Sequence, residues 1–146
     1  MNGLVASSSG ANAPVGADDA PVIISVCTTC KTQDAAADVV GPELLAAVCD
    51  TVRVPDPIVT VRAVQCLGVC KRPTTAAISG QGRYTFVFAD LVPETGAPAL
   101  RDFAQAYRLA AYGLVPWRQR AQVLRRGMIA RIPPAIWSPD DGAPPT

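Results

Sequence analysis

Residues 58–79, IVTVRAVQCLGVCKRPTTAAIS, set a turn carrying two cysteines between two β-forming runs. The first run, 58–64, alternates and is β-branched, the pattern of a strand half covered by a core. The second, TTAAIS at 74–79, reads as another strand, with Pro73 directly before it. Between them Cys66 and Cys70 flank Leu67-Gly68-Val69, and two cations, Lys71 and Arg72, follow at once. The chain has no histidine, so whatever these thiols do, they do without imidazole.

Upstream, PVIISV (21–26) is a short β-branched run that ends in Cys27 and predicts a buried strand. Cys27-Thr28-Thr29-Cys30 is a second close thiol pair, and KTQDAAADVV (31–40) reads as a loop or weak turn. GPELLAAVCD (41–50) predicts a short helix: Pro42 suits a first turn, and Leu44, Leu45, Val48 and Cys49 share a face. Cys49 is then a small core residue rather than a ligand. RVPDP (53–57) ends the helix.

Downstream, GQG (80–82) makes a tight turn into RYTFVF (83–88), giving a β-hairpin with the 74–79 strand. APALRDFAQAYRLAAYG (97–113) is the clearest helix, with Leu100, Phe103, Ala104, Tyr107 and Ala111 at helical spacing and Gly113 as the cap. The remainder, 114–137, is interrupted by Pro116, Pro133 and Pro134, and Trp117, Leu124, Ile129, Ile132 and Trp137 need cover. It reads as an irregular extension wrapping over the core, with Trp117 packed on that core or turned toward a partner.

The order is strand, helix, strand, strand, strand, helix. Two strands joined through a helix predict a right-handed parallel crossover, and a hairpin follows. This is an α/β chain with a thioredoxin-like βαβββα core and a mixed sheet. Pro73 stands where thioredoxin-like proteins often hold a cis proline. Both cysteine pairs lie just past strand ends, so the topology brings four thiols to one edge of the sheet.

At 146 residues and 49% apolar, the chain suits one core-forming domain. We read 1–20 as a disordered arm, 21–113 as the domain, 114–137 as the extension and 138–146 as a flexible tail. No apolar run approaches the roughly 18 residues of a membrane span. The opening lacks a signal peptide's basic start and apolar stretch, so the expected location is the cytoplasm, with no membrane partner.

Five cysteines confined to residues 27–70 argue against a disulfide framework and for metal or thiol chemistry. Cys27, Cys30, Cys66 and Cys70 are four soft ligands, suited to iron–sulfur or zinc. Three readings stay open: a [2Fe–2S] cluster, a structural zinc site on the same thiolates in a metal-binding adaptor, and a thiol–disulfide enzyme using Cys27 and Cys30. The pair spacing resembles that of the thioredoxin-like [2Fe–2S] ferredoxins, which include the peripheral cluster subunit of respiratory complex I. Four thiolates around such an oxidised core sum to a charge of −2, which one electron makes −3. Lys71 and Arg72 would offset that charge, and Gly68 would let the loop approach the sulfurs. Pro73 closes this surrounding set.

Charge is divided along the chain. Residues 1–61 hold only Lys31 and Arg53 as cations, whereas 62–131 hold only Asp90, Glu94 and Asp102 as anions. Arg118, Arg120, Arg125, Arg126 and Arg131 form the expected docking region for an acidic redox partner. Few aromatics accompany these arginines, so no nucleic-acid partner is expected.

A wider resemblance spans roughly residues 22–135. VCTTCK, CLGVCKRPTTAAIS, YTFVFADL, YGLVPWRQR and GMIARIPP resemble a bacterial family of small predicted metal-binding proteins, a domain of unknown function. That family is in turn similar to the thioredoxin-like [2Fe–2S] ferredoxins. Ala121 departs from it, since the family's W-R-x-R-P pattern would place proline there. The resemblance implies a metal or cluster on Cys27, Cys30, Cys66 and Cys70, and through some members a role as electron donor to cobalt or cobalamin-related chemistry. Together these readings predict an electron-transfer protein rather than an enzyme. A homodimer is what the resemblance to dimerising ferredoxins implies.

Overall fold

The structure, a computed structural model, describes residues 21–30 and 40–135. The expected arm at 1–20, the stretch 31–39, and Trp137 with the tail lie outside these residues.

Five strands form one mixed sheet: β1 (Val22–Cys27), β2 (Val59–Val64), β3 (Ala76–Ser79), β4 (Thr85–Phe88) and β5 (Met128–Ile132), in the order β2-β1-β3-β4-β5. Between β1 and β2 runs α1 (Gly41–Val52), and after β4 runs α2 (Pro93–Leu109). β1 pairs β2 in parallel and β3 antiparallel. The β3–β4 hairpin is antiparallel, as read from sequence.

Burial follows the apolar pattern. In β1, Val22, Ile24 and Val26 are fully buried, as are Leu44 and Val48 of α1 and Leu100 and Tyr107 of α2. Phe103 meets Phe86 edge-on at 5.0 Å and Phe88 at 5.2 Å, so one ring of α2 locks both core aromatics of β4. Each such side chain contributes about 1.5–3 kcal/mol of transfer free energy. The other face of β1 carries Ser25, which is buried and accepts a 2.7 Å bond from Nε of Arg62 on β2.

Three details differ from the sequence reading. First, α2 begins at Pro93, four residues early, and ends at Leu109. Pro93 fits a first turn, whereas Gly96 and Pro98 disguise the start as a loop. Gly113 does not cap this helix. It sits in a following 3-10 turn (Ala111–Gly113) at φ 72°, and an added Cβ there would strike the Tyr107 ring.

Second, the extension is not irregular throughout. After a 3-10 turn at Trp117–Gln119 it forms a short helix, α3 (Gln122–Gly127), and then β5, which pairs antiparallel with β4. Its register shifts between Val87 and Phe88, and every residue of β5 is half-buried or exposed. With no strongly apolar face, β5 gives too weak an alternation to read.

Third, the cis peptide bonds of the described residues are Val54–Pro55 and Pro73–Thr74, so the bond before Pro73 is not one of them. Among the described residues no helix is long and apolar enough to cross a membrane.

Candidate metal centre

The parallel register aligns Cys27, the last residue of β1, with Val64, the last of β2. Chain direction therefore delivers Cys27-x2-Cys30 and Cys66-x3-Cys70 to the same end of the sheet. The junction is sewn by backbone: Thr28 N donates to Val64 O at 2.8 Å, and Thr28 Oγ1 to the same carbonyl at 3.1 Å. Thr29 Oγ1 donates to Gln65 O, the residue before Cys66.

The first pair is buried. Cys27 Sγ lies 3.6 Å from Gln65 O and 3.6 Å from Thr29 Oγ1, and Cys30 Sγ lies 3.5 Å from Thr75 Oγ1. Burial pushes the Cys27 thiol up, but hydrogen bonds from Cys30, Thr29 and Thr75 outweigh it and bring its pKa down to about 7. Cys30 is raised, by burial first and by donating its proton toward Cys27.

The second pair is exposed. Cys66 Sγ and Cys70 Sγ stand 3.9 Å apart, and Cys66 Sγ also accepts the Gly68 N–H at 3.2 Å. Gly68 lies at φ 81°, so glycine is what lets its amide face that sulfur. Cys70 is raised, through its hydrogen bond to Cys66 first and that sulfur's charge second, and Cys27 adds to the effect. The pairs thus feel each other's charge. Yet among the described residues no three His, Cys, Asp or Glu side chains converge enough to hold one ion.

Two thiolates bound to one tetrahedral metal at about 2.3 Å stand about 3.8 Å apart. The Cys66–Cys70 separation matches that edge, so this pair suits one metal. All five cysteines are unbridged, and Cys49 is half-buried on α1. A family model described as "Protein of unknown function (DUF1636)" matches residues 24–134, which spans both pairs and β5.

The chain belongs to the DUF1636 family.

Structural comparison relates this DUF1636 chain to a thioredoxin-like [2Fe–2S] ferredoxin from Aquifex aeolicus at TM-score 0.51 and 12% identity, covering 80% of this chain and 98% of that one. A second structure, of the wild-type form of such a ferredoxin from the same organism, aligns at TM-score 0.48 and 12% identity over 75% and 97%. The first shows a shared thioredoxin-like fold. No curated protein matches the chain.

The residues expected around the thiols divide. Gly68 touches a sulfur, and Lys71 is exposed beside Cys70. Arg72 is engaged by other groups: its Nη2 lies 2.5 Å from Asp90 Oδ2 and 3.3 Å from Arg126 O. Pro73 is half-buried and leads into Thr74 and Thr75, both buried. Thr75 is a residue the sequence reading missed. It braces Cys30 through its hydroxyl and Cys27 through its carbonyl, which accepts Cys27 N–H at 3.0 Å.

The docking set needs a correction at Arg120. It is only 7% exposed, so it is not available to a partner. Its Nε donates to Val115 O at 2.9 Å and its Nη1 to Met128 Sδ, and the guanidinium lies 5.3 Å from the Phe86 ring centre. Burial, with Arg131 nearby, pulls its pKa below the ordinary arginine value. Arg118, Arg126 and Arg131 are exposed and Arg125 half-buried. Trp117 does not pack into the core. It is 53% exposed, while Leu124 is fully buried.

Proposed function

We propose that this DUF1636 chain carries single electrons on one [2Fe–2S] cluster held by Cys27, Cys30, Cys66 and Cys70, and itself transforms no substrate. The supporting observation is the arrival of two close thiol pairs at one end of the sheet, with 3.9 Å between the Cys66 and Cys70 sulfurs. A [2Fe–2S] core takes four thiolates, two on each iron, so two separate pairs suit it. A single zinc ion would need all four sulfurs about 3.8 Å from one another, whereas among the described residues no three ligating side chains are gathered for one ion. The fold shared with a [2Fe–2S] ferredoxin supports the same choice.

When bound, the cluster would supply a one-electron couple. The chain's own groups would set its surroundings. The Gly68 amide and the Thr75 hydroxyl lie at hydrogen-bonding distance from the sulfurs, where donors favour added negative charge and raise the potential. Burial of Cys27 and Cys30 keeps water from one side of the site, while exposed Cys66 and Cys70 leave the other open for electron exchange. The recipient would be a redox enzyme, and the family resemblance points to cobalt chemistry as one class.

The test is anaerobic reconstitution followed by a visible spectrum and metal analysis of the same sample. Broad visible absorbance that bleaches with dithionite, with about two irons and two sulfides per chain, is expected. A colourless chain that takes up one zinc and refuses iron and sulfide would end this reading.

One observation favours a dithiol enzyme instead: Cys27 is brought to about 7 beside a raised Cys30, the asymmetry of an attacking and a resolving thiol. That reading requires the metal-free chain to cycle Cys27 and Cys30 between dithiol and disulfide with Cys66 and Cys70 replaced by Ala. Loss of cycling in that variant would remove it.

A further inference from the structure

Trp117 is held outward by arginines. Its ring centre lies 5.7 Å from the guanidinium carbon of Arg120 and 5.7 Å from that of Arg125. Arg125 ties the turn to α3: its Nε donates to Trp117 O at 3.2 Å and Arg120 O at 2.9 Å, and its Nη2 to Arg118 O at 3.2 Å. Beside this stack Arg118 and Arg126 are exposed. Among the described residues the ion pairs are Arg72–Asp90 and Arg101–Asp102, so neither Arg118, Arg125 nor Arg126 has a carboxylate counter-ion. Cations gathered without counter-ions repel one another, a cost that binding to an anionic surface removes.

The patch also has an address. Arg72 follows Cys70 by two residues, and its Nη2 donates to Arg126 O at 3.3 Å, which fastens α3 to the exposed thiol loop.

We propose that Trp117, Arg118, Arg125 and Arg126 form the docking surface for an acidic electron-transfer protein, set beside the Cys66–Cys70 loop. This rests on the electron-carrier reading of that loop. A carboxylate-rich face supplies the missing counter-ions, and the indole gives a flat apolar centre of the kind that, with arginine, dominates interface energetics. Among the described residues Trp117 is the exposed aromatic ring, and one ring offers no succession of stacking platforms, which disfavours single-stranded nucleic acid.

The experiment uses the full reconstituted chain and, as probe, an acidic flavodoxin in its hydroquinone form. The flavin gives up one electron and becomes the semiquinone, and the chain's cluster gains that electron. The variant is Arg118→Glu with Arg126→Glu, chosen because no described contact of either side chain supports the fold, whereas Arg125 braces the turn. A control, Arg101→Glu with Arg108→Glu, changes the net charge equally on α2. The wild-type second-order rate is expected to fall as salt rises, and the docking variant to be about ten-fold slower or more at low salt, with the control near wild type. Equal slowing in both variants, or a rate indifferent to salt, would overturn the proposal.

If the chain takes up no cluster, the electron-carrier reading fails by itself. Docking is then read on the metal-free chain carrying Trp137→Phe, from Trp117 fluorescence during flavodoxin titration. A salt-sensitive change that the Arg118→Glu, Arg126→Glu pair abolishes supports the surface. No change, or tighter binding of a single-stranded DNA 20-mer than of flavodoxin, overturns it.

Discussion

Arg72 meets Asp90 across 2.5 Å, so one of the two cations that follow Cys70 arrives with its charge already matched. Both side chains are about half exposed, and an exposed pair of this kind adds only about 0–1 kcal/mol. Its consequence lies in electrostatics rather than stability. Asp90→Asn leaves the Arg72 charge uncompensated near the thiolates, which favours the reduced, more negative state. The midpoint potential of the reconstituted chain is expected to rise, by roughly tens of millivolts for a nearby unit charge at intermediate dielectric, with stability changed by less than about 1 kcal/mol. Redox titration checks this, and a lowered potential would contradict it.

Ligand substitutions are expected to split four to one. Ser at Cys27, Cys30, Cys66 or Cys70 removes a soft ligand and is expected to cut bound iron by more than half. Cys49→Ser is expected to retain the wild-type iron content, because Cys49 sits on α1 outside both pairs. Iron analysis of the five variants is the measurement.

Gly41 opens α1 directly against Cys27. A Cβ there would overlap the Cys27 carbonyl oxygen and press on the Thr28 backbone. Gly41→Ala therefore has to displace the first thiol pair or the start of the helix. A stability loss of about 1–3 kcal/mol is expected, together with reduced cluster uptake, the range for overpacking against rigid backbone. Urea unfolding and iron content, measured together, test both halves.

Arg120 and Arg118 should behave oppositely. Arg120→Ala leaves the Val115 carbonyl unsatisfied and removes packing over Phe86, for an expected loss of about 1–3 kcal/mol. Arg118→Ala, exposed and without a structural contact of its side chain among the described residues, is expected to stay within about 0.5 kcal/mol of wild type. Equal effects would contradict the burial assigned to Arg120.

Tyr107 gives a pH dependence. Burial holds its phenol far above the ordinary value of 10.0, with Arg83 pulling back only in part, and its hydroxyl donates to Tyr84 O at 2.5 Å. The unfolded chain ionises near pH 10 while the folded chain keeps the proton. Stability is thus full below about pH 10 and falls as pH rises beyond it. Tyr107→Phe should flatten that alkaline fall while costing about 1 kcal/mol at neutral pH. Urea midpoints from pH 8 to 11 give the comparison.

The βαβββ order and the four candidate thiols were legible because their signals are local. Apolar residues at period 2 or 3.6 and paired cysteines just after strand ends need no distant partner to be recognised. Parallel pairing of β1 with β2 then follows from the crossover and sends both thiol pairs to one end. What only the tertiary structure decided is who meets whom across the chain. Arg120 reads like its exposed neighbours, yet Val115, Phe86 and Met128 close around it. β5 carries no strong alternation, and it is a strand because β4 offers an unpaired edge that satisfies its backbone. Thr75 looks like any strand threonine until the sheet sets it against Cys30. Local periodicity depends on residues a few positions apart, whereas burial, counter-ions and hydrogen-bond partners depend on residues tens of positions apart, and those only folding brings together.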